Sequence, residues 1–198
     1  GDLARDRPLV VAAHEQVREP ERQAVDEDHV RRGRRAQHAH EIERLRKGVM
    51  IDGRVRTGPQ GIAGEWGHMS IDPAGPACYC GSRGCVETFI SGGGVEKLYA
   101  EETGEALSMA RIVAESIAGN GRAQKRMVDF YDRFGRALAN VIAVLDPDVV
   151  VLGGGLSSIA GLYTEGVAAV RRHVFSDSLE TPIVQNQLGD SAGVIGAA

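Results

Sequence analysis

From Gly48 onward, apolar residues recur in patterns that change type along the chain. In "GVMIDGRV", Val49, Met50 and Ile51 precede an Asp52-Gly53 pair, and Val55 follows it. Strand formers on either side of Asp-Gly predict a β-hairpin. "TGPQGIAGEWGH" is punctuated by glycine and proline and reads as loop. "HMSID" reads as a short strand. "VETFI" through "GVEKLYAEETG" has helical spacing that stops at Gly104, and Ser108 is placed to cap a helix reaching about Ala118. The clearest period runs from Gly121 to Leu145. Met127, Tyr131, Phe134, Leu138, Val141, Ile142 and Leu145 recur three or four apart, and Pro147 ends the run. "DVVVLGGG" reads as a buried strand ending in a glycine turn. Ile159 to Val174 predicts a helix, "PIVQNQ" a strand, and "DSAGVIGAA" the opening of a helix at which the text looks clipped. Helices alternating with buried strands predict an α/β layered fold.

Residues 1–47 do not share this pattern. They hold ten arginines, four of the six histidines and ten acids, with no aromatic residue other than histidine. Leu9 to Ala13 is the single apolar run. The charges allow a solvated helix over residues 15–47, but no apolar face supports it. Arg31, Arg32, Arg34 and Arg35 raise the idea of a nucleic-acid arm, which interleaved acids oppose. The segment is expected to pack poorly.

Composition narrows the class. The 198 residues are 42% hydrophobic and 25% charged, with a net charge of -4. These values fit a globular chain and favour neither a nucleic-acid nor a membrane partner. No apolar run approaches the length of a membrane helix, and the first residues are too charged for a signal peptide. The expected location is cytoplasmic.

All three cysteines fall in "CYCGSRGC", as Cys78, Cys80 and Cys85, with His68 ten positions upstream. Three thiolates and one imidazole are a common tetrahedral zinc set, and such a closed set makes the metal structural. Gly81 and Gly84 let the chain turn its sulfurs inward. The alternatives are three unconnected reduced cysteines, or a redox pair made from two of them. Scattered core cysteines would not be expected in a polar glycine-rich loop.

Glu65 and Glu87 flank the cluster. Carboxylates held on a rigid loop suit sugar hydroxyls. A first-turn helix acid at Glu87 and a solvated loop charge at Glu65 are the plainer alternatives. "LGGGLS" follows a strand, where glycines let backbone amides approach phosphate; the alternative is a tight strand-to-helix turn.

Together these segments resemble the ROK family of bacterial sugar kinases and transcriptional repressors. "GIAGEWGHM", "CYCGSRGCVE", "LDPDVVVLGGGLS" and "GDSAGVIGAA" carry the likeness, over about Gly48 to Ala198. Within the family, "CYCGSRGCVETFISG" and "ETPI" look most like fructokinases. N-acetylglucosamine kinases and glucokinases are the near neighbours. The resemblance implies the C-terminal domain of an actin-like, ribonuclease-H-like kinase with a zinc-stapled loop, cytoplasmic and homodimeric. It implies structural zinc on His68, Cys78, Cys80 and Cys85, and hexose contacts from Glu65, His68 and Glu87, with fructose as the first expectation. The histidine would hold zinc through one ring nitrogen and face the sugar with the other. Gly153, Gly154 and Gly155 would lie against Mg-ATP.

The family's Asp-x-Gly-x-Thr phosphate loop, its Asn-Asp pair carrying the general base, and its glycine-rich loop before Gly48 are not found in this sequence. No catalytic residue is assigned, and the chain is expected to be inactive alone. The abrupt change at the boundary resembles GC-rich coding sequence read out of frame; the alternative is a real fusion or a decayed gene whose product has lost its first domain. A fragment of a ROK repressor and a non-catalytic sugar-binding domain are the rival readings. Residues 1–47 carry no helix-turn-helix pattern to support the first.

Overall fold

The structure, a computed structural model, describes residues 10–13 and 48–187. Five strands form one sheet: β1 (Val10–Ala13), β2 (Gly48–Ile51), β3 (Arg54–Arg56), β4 (Val149–Leu152) and β5 (Ile183–Gln185). Their spatial order is β3-β2-β1-β4-β5. The hairpin expected from Asp52-Gly53 is present. Both turn residues take positive φ, 54° and 70°, and β2 pairs antiparallel with β3.

The sequence pattern did not anticipate the place of β1. It pairs antiparallel with β2 and parallel with β4, at the middle of the sheet. The apolar run in residues 1–47 therefore has partners on both edges, although its own neighbourhood gave no hint of them. The helix considered for residues 15–47 and the one opening in "DSAGVIGAA" lie outside the described residues.

Among the described residues, five helices accompany the sheet: α1 (Val86–Ile90), α2 (Gly92–Thr103), α3 (Met109–Ile117), α4 (Gly121–Leu145) and α5 (Glu165–His173). Ser91 breaks the first helical run in two. It ends α1, and its side chain accepts the Gly94 N–H to cap α2. Gly104, at φ 77°, closes α2, and Ser108 caps α3, as expected. The Asn120 side chain accepts from Arg122 and Ala123 N–H at the start of α4.

α4 packs against α1, α2, α3 and α5. Being covered on several sides, it buries more than one stripe: Ala123, Phe130 and Ala137 join Met127, Phe134 and Leu138. Val150 and Leu152 of β4 enter the same core. Leu138 is wholly buried, so Leu138→Ala should cost about 2–5 kcal/mol in a denaturant titration. A loss below about 1 kcal/mol would mean this core has relaxed around the gap.

Two expected elements differ. "HMSID" forms only an isolated bridge, Ser70 with Cys85, after a 3-10 turn at Trp66–His68. The cysteine loop takes its hydrogen bonds: Ile71 N–H donates to Gly84 O and Val86 N–H to Met69 O. The helix expected from Ile159 starts only at Glu165, after 3-10 turns at Gly155–Ser158 and Ala160–Leu162. There Tyr131 presses on Gly161, with its Oη 2.1 Å from where a Cβ would stand.

Candidate functional site

The loop between the 3-10 turn and α1 folds back on itself. Cys78 N–H donates to Ser82 O and Gly84 N–H to Pro76 O. Ala77 and Arg83 form a bridge. This brings His68, Cys78, Cys80 and Cys85 together, with one ligand atom from each inside 4.8 Å of all the others. Cys80 Sγ lies 3.6 Å from Cys85 Sγ, and Cys78 Sγ lies 3.6 Å from His68 Nδ1. In a tetrahedral zinc site, bond lengths near 2.3 and 2.05 Å put sulfurs about 3.8 Å apart and sulfur about 3.6 Å from nitrogen. The donor set fits zinc in type, number and spacing. When bound, zinc would be held by these four residues as a structural staple with no open position.

The thiols differ in environment. Cys78 and Cys85 are buried and Cys80 is exposed. Burial pushes the Cys78 and Cys85 thiols up from their ordinary value. A hydrogen bond from the Ser82 backbone pulls the Cys80 thiol down. All three are free thiols.

Glu87, in the first turn of α1, faces the cluster. Cys78 Sγ donates to its Oε1 at 3.2 Å, and the same oxygen is 3.7 Å from His68 Nδ1. The second histidine nitrogen is also engaged: His68 Nε2 stands 3.0 Å from Tyr79 Oη, with the two rings edge to face. The family resemblance implied a sugar for that nitrogen. Here a phenol from between the cysteines holds its place, on a side chain that is 69% exposed. Glu65 immediately precedes the 3-10 turn that carries His68 and is half-buried.

The glycine turn is a separate feature, at the carboxyl end of β4. Gly154 takes φ 81°. Buried Ser157 donates to Gly154 O at 2.6 Å, and Tyr163 Oη donates to Ser157 O at 2.7 Å. Asn186, just after β5, donates to Leu152 O through both its backbone and its side chain. Ser157 ends the LGGGLS run, whereas nothing in the local sequence pattern marks Asn186. The position is informative: ligands of parallel α/β sheets gather outside the carboxyl ends of the strands.

Residues 47–198 match the model of the ROK family. The chain is 37% identical over 161 residues to an N-acetyl-D-glucosamine kinase of Photobacterium profundum, a match covering 76% of this chain and 53% of that protein. It is 38% identical over 166 residues to the N-acetyl-D-glucosamine kinase of Mannheimia succiniciproducens, with the same shares covered. Among solved structures it resembles a ROK hexokinase from Thermus thermophilus, with TM-score 0.70 and 32% identity over 77% of this chain and 52% of that one. The chain thus spans about half the length of the curated relatives it matches. The His/Cys loop, the five described helices and the glycine turn all lie within the matched residues, and the chain belongs to the ROK family.

Proposed function

We propose that this chain is the sugar- and zinc-binding portion of an ATP-dependent N-acetylhexosamine kinase. The observation that carries the reading is its 37–38% identity to proteins named N-acetyl-D-glucosamine kinase, over 76% of the chain. Fructose, the first expectation from the cysteine-loop wording, gives way to N-acetylglucosamine. The fructokinase likeness rested on a few loop residues, whereas the new support runs over three quarters of the chain.

In this reading Glu65, His68 and Glu87 accept and donate hydrogen bonds to sugar hydroxyls. A hydroxyl replaces the Tyr79 phenol on His68 Nε2. Bound zinc would fix the imidazole tautomer and its orientation, because a metal-held Nδ1 leaves Nε2 as the outward-facing N–H. Gly153, Gly154 and Gly155 let the nucleotide approach the backbone. No Asn-Asp pair or Asp-x-Gly-x-Thr loop is present in the sequence to supply a base or a phosphate cradle. The chain itself therefore binds sugar without transferring phosphate.

Calorimetric titration tests both halves of this. N-acetylglucosamine should bind at least about tenfold more tightly than fructose, a difference of about 1.4 kcal/mol. No ADP should form above background with Mg-ATP. Equal affinity for the two sugars, or tighter fructose binding, refutes the N-acetylhexosamine assignment. Steady turnover refutes the non-catalytic one.

A further inference from the structure

Arg133 lies on α4, 48 residues beyond the last cysteine in the sequence, yet it touches both sides of the metal loop. Its Nη1 donates to Asp72 Oδ2 at 3.2 Å, on the stretch between His68 and Cys78. Its Nε donates to Asp129 Oδ1 and Oδ2, both at 3.3 Å, one turn earlier on α4. Its guanidinium carbon lies 3.9 Å from the centroid of the Phe89 ring. Phe89 is the buried residue of α1 two positions after Glu87.

These partners are themselves anchored in the loop. Asp72 Oδ1 accepts the Ala74 N–H, and Asp72 O accepts the Gly75 N–H. Phe89 Cζ stands 2.6 Å from where a Cβ on Gly75 would be, so the ring fills the space beneath the turn. One planar cation thus grips the His68-to-Cys78 stretch through Asp72, and the Cys85-to-Glu87 side through Phe89.

We propose that Arg133 is a positioning residue for the metal centre: it sets the spacing between the two stretches that supply the four ligands. An exposed ion pair would contribute little. Arg133 is 24% exposed, faces two carboxylates and stacks on a buried ring. A metal site tolerates ligand displacements of only about 0.2 Å, so a brace of this kind shows first in metal retention. Lysine could keep the charge but not the planar stack.

This inference rests on the zinc reading of the cluster, and the experiment separates the two. Wild type, Arg133→Met, Arg133→Lys and Arg136→Met are loaded with zinc. Release to a chelator and amide exchange are then followed under native conditions. Arg136 is the control, since it pairs with Asp132 and not with the loop. Arg133→Met should release zinc about tenfold faster, as loss of an outer-shell partner does. It should expose the amides of residues 69–90 while those around Leu138 stay protected. Arg133→Lys should fall between Arg133→Met and wild type, and Arg136→Met should match wild type. Cobalt-loaded Arg133→Met should also show altered visible bands. Unchanged release and exchange at residues 69–90, or protection lost equally at Leu138, overturns the proposal. If wild type takes up no zinc, the metal reading fails, and exchange of residues 69–90 in the metal-free variants still decides whether Arg133 braces the loop.

Discussion

Cys85→Ser should empty the metal centre and lower the melting temperature by roughly 10 °C. The size follows from linkage. A metal present at a thousandfold excess over its dissociation constant contributes about 4 kcal/mol. In a chain of this length each kcal/mol moves the midpoint by about 2–4 °C. A serine oxygen is a poor replacement for a thiolate in a site with no spare ligand. Cys85 is fully buried, so the new hydroxyl also loses water. Cys80 provides the contrast. It is exposed, so Cys80→Ser should also lose zinc, but the metal-free Cys80→Ser protein should melt with metal-free wild type. Metal analysis and melting curves with and without a strong chelator check this. Chelation should bring wild type down to the level of the Cys80→Ser variant and leave both variants unmoved. A Cys85→Ser protein that keeps one zinc per chain would refute the assignment. Zinc must also displace protons from Cys78 and Cys85, whose thiols burial holds up, so wild type should lose zinc more readily as the pH falls.

The sequence made the His/Cys cluster visible for a specific reason. Its four residues are local, and the glycine and proline around them set three cysteines apart from the periodic apolar segments. The Asp52-Gly53 turn and the caps at Ser108 and Gly104 were legible for the same reason, since each is a short-range rule met by neighbouring residues. Long-range pairings were hidden. β1 finds β4 across more than a hundred residues, and four apolar residues in a charged segment say nothing about their partner. Arg133 reads as a surface charge on a helix until Asp72 is folded against it 61 residues away. Arg126 is similar. It is buried at 6% exposure yet paired with Glu102 and Asp129, where periodicity alone would have put it in solvent. Tyr79 carries no local signal of its own between two cysteines. Its hydroxyl lies against His68 only because the loop doubles back.

Gly84 bears the closest approach in that doubled-back loop, and Gly84→Ala should disable it. Its N–H donates to Pro76 O at 2.8 Å and its carbonyl accepts from Ile71 N–H at 2.9 Å, so it ties together both sides of the turn. A Cβ there would stand 1.6 Å from Asp72 O, a backbone atom that has no rotamer to move to. The residue also sits at φ +61°, where a side chain costs about 1–2 kcal/mol. Pushing Gly84 away from Asp72 would break both of the hydrogen bonds that Gly84 makes, each contributing about 1 kcal/mol, and overpacking adds about 1–3 kcal/mol. The loss should therefore be about 4 kcal/mol or more. It should come with zinc release, because Cys85 follows directly and Arg133 loses its partner. Gly81→Ala separates the two causes. Gly81 has φ +89° but nothing within 4 Å of its Cβ position. It should cost only about 1–2 kcal/mol and keep its zinc. Urea titration with metal analysis of the two variants gives the answer. If Gly84→Ala matches Gly81→Ala in both stability and zinc content, the loop is looser than its geometry implies, and Asp72 is not pinned against Gly84.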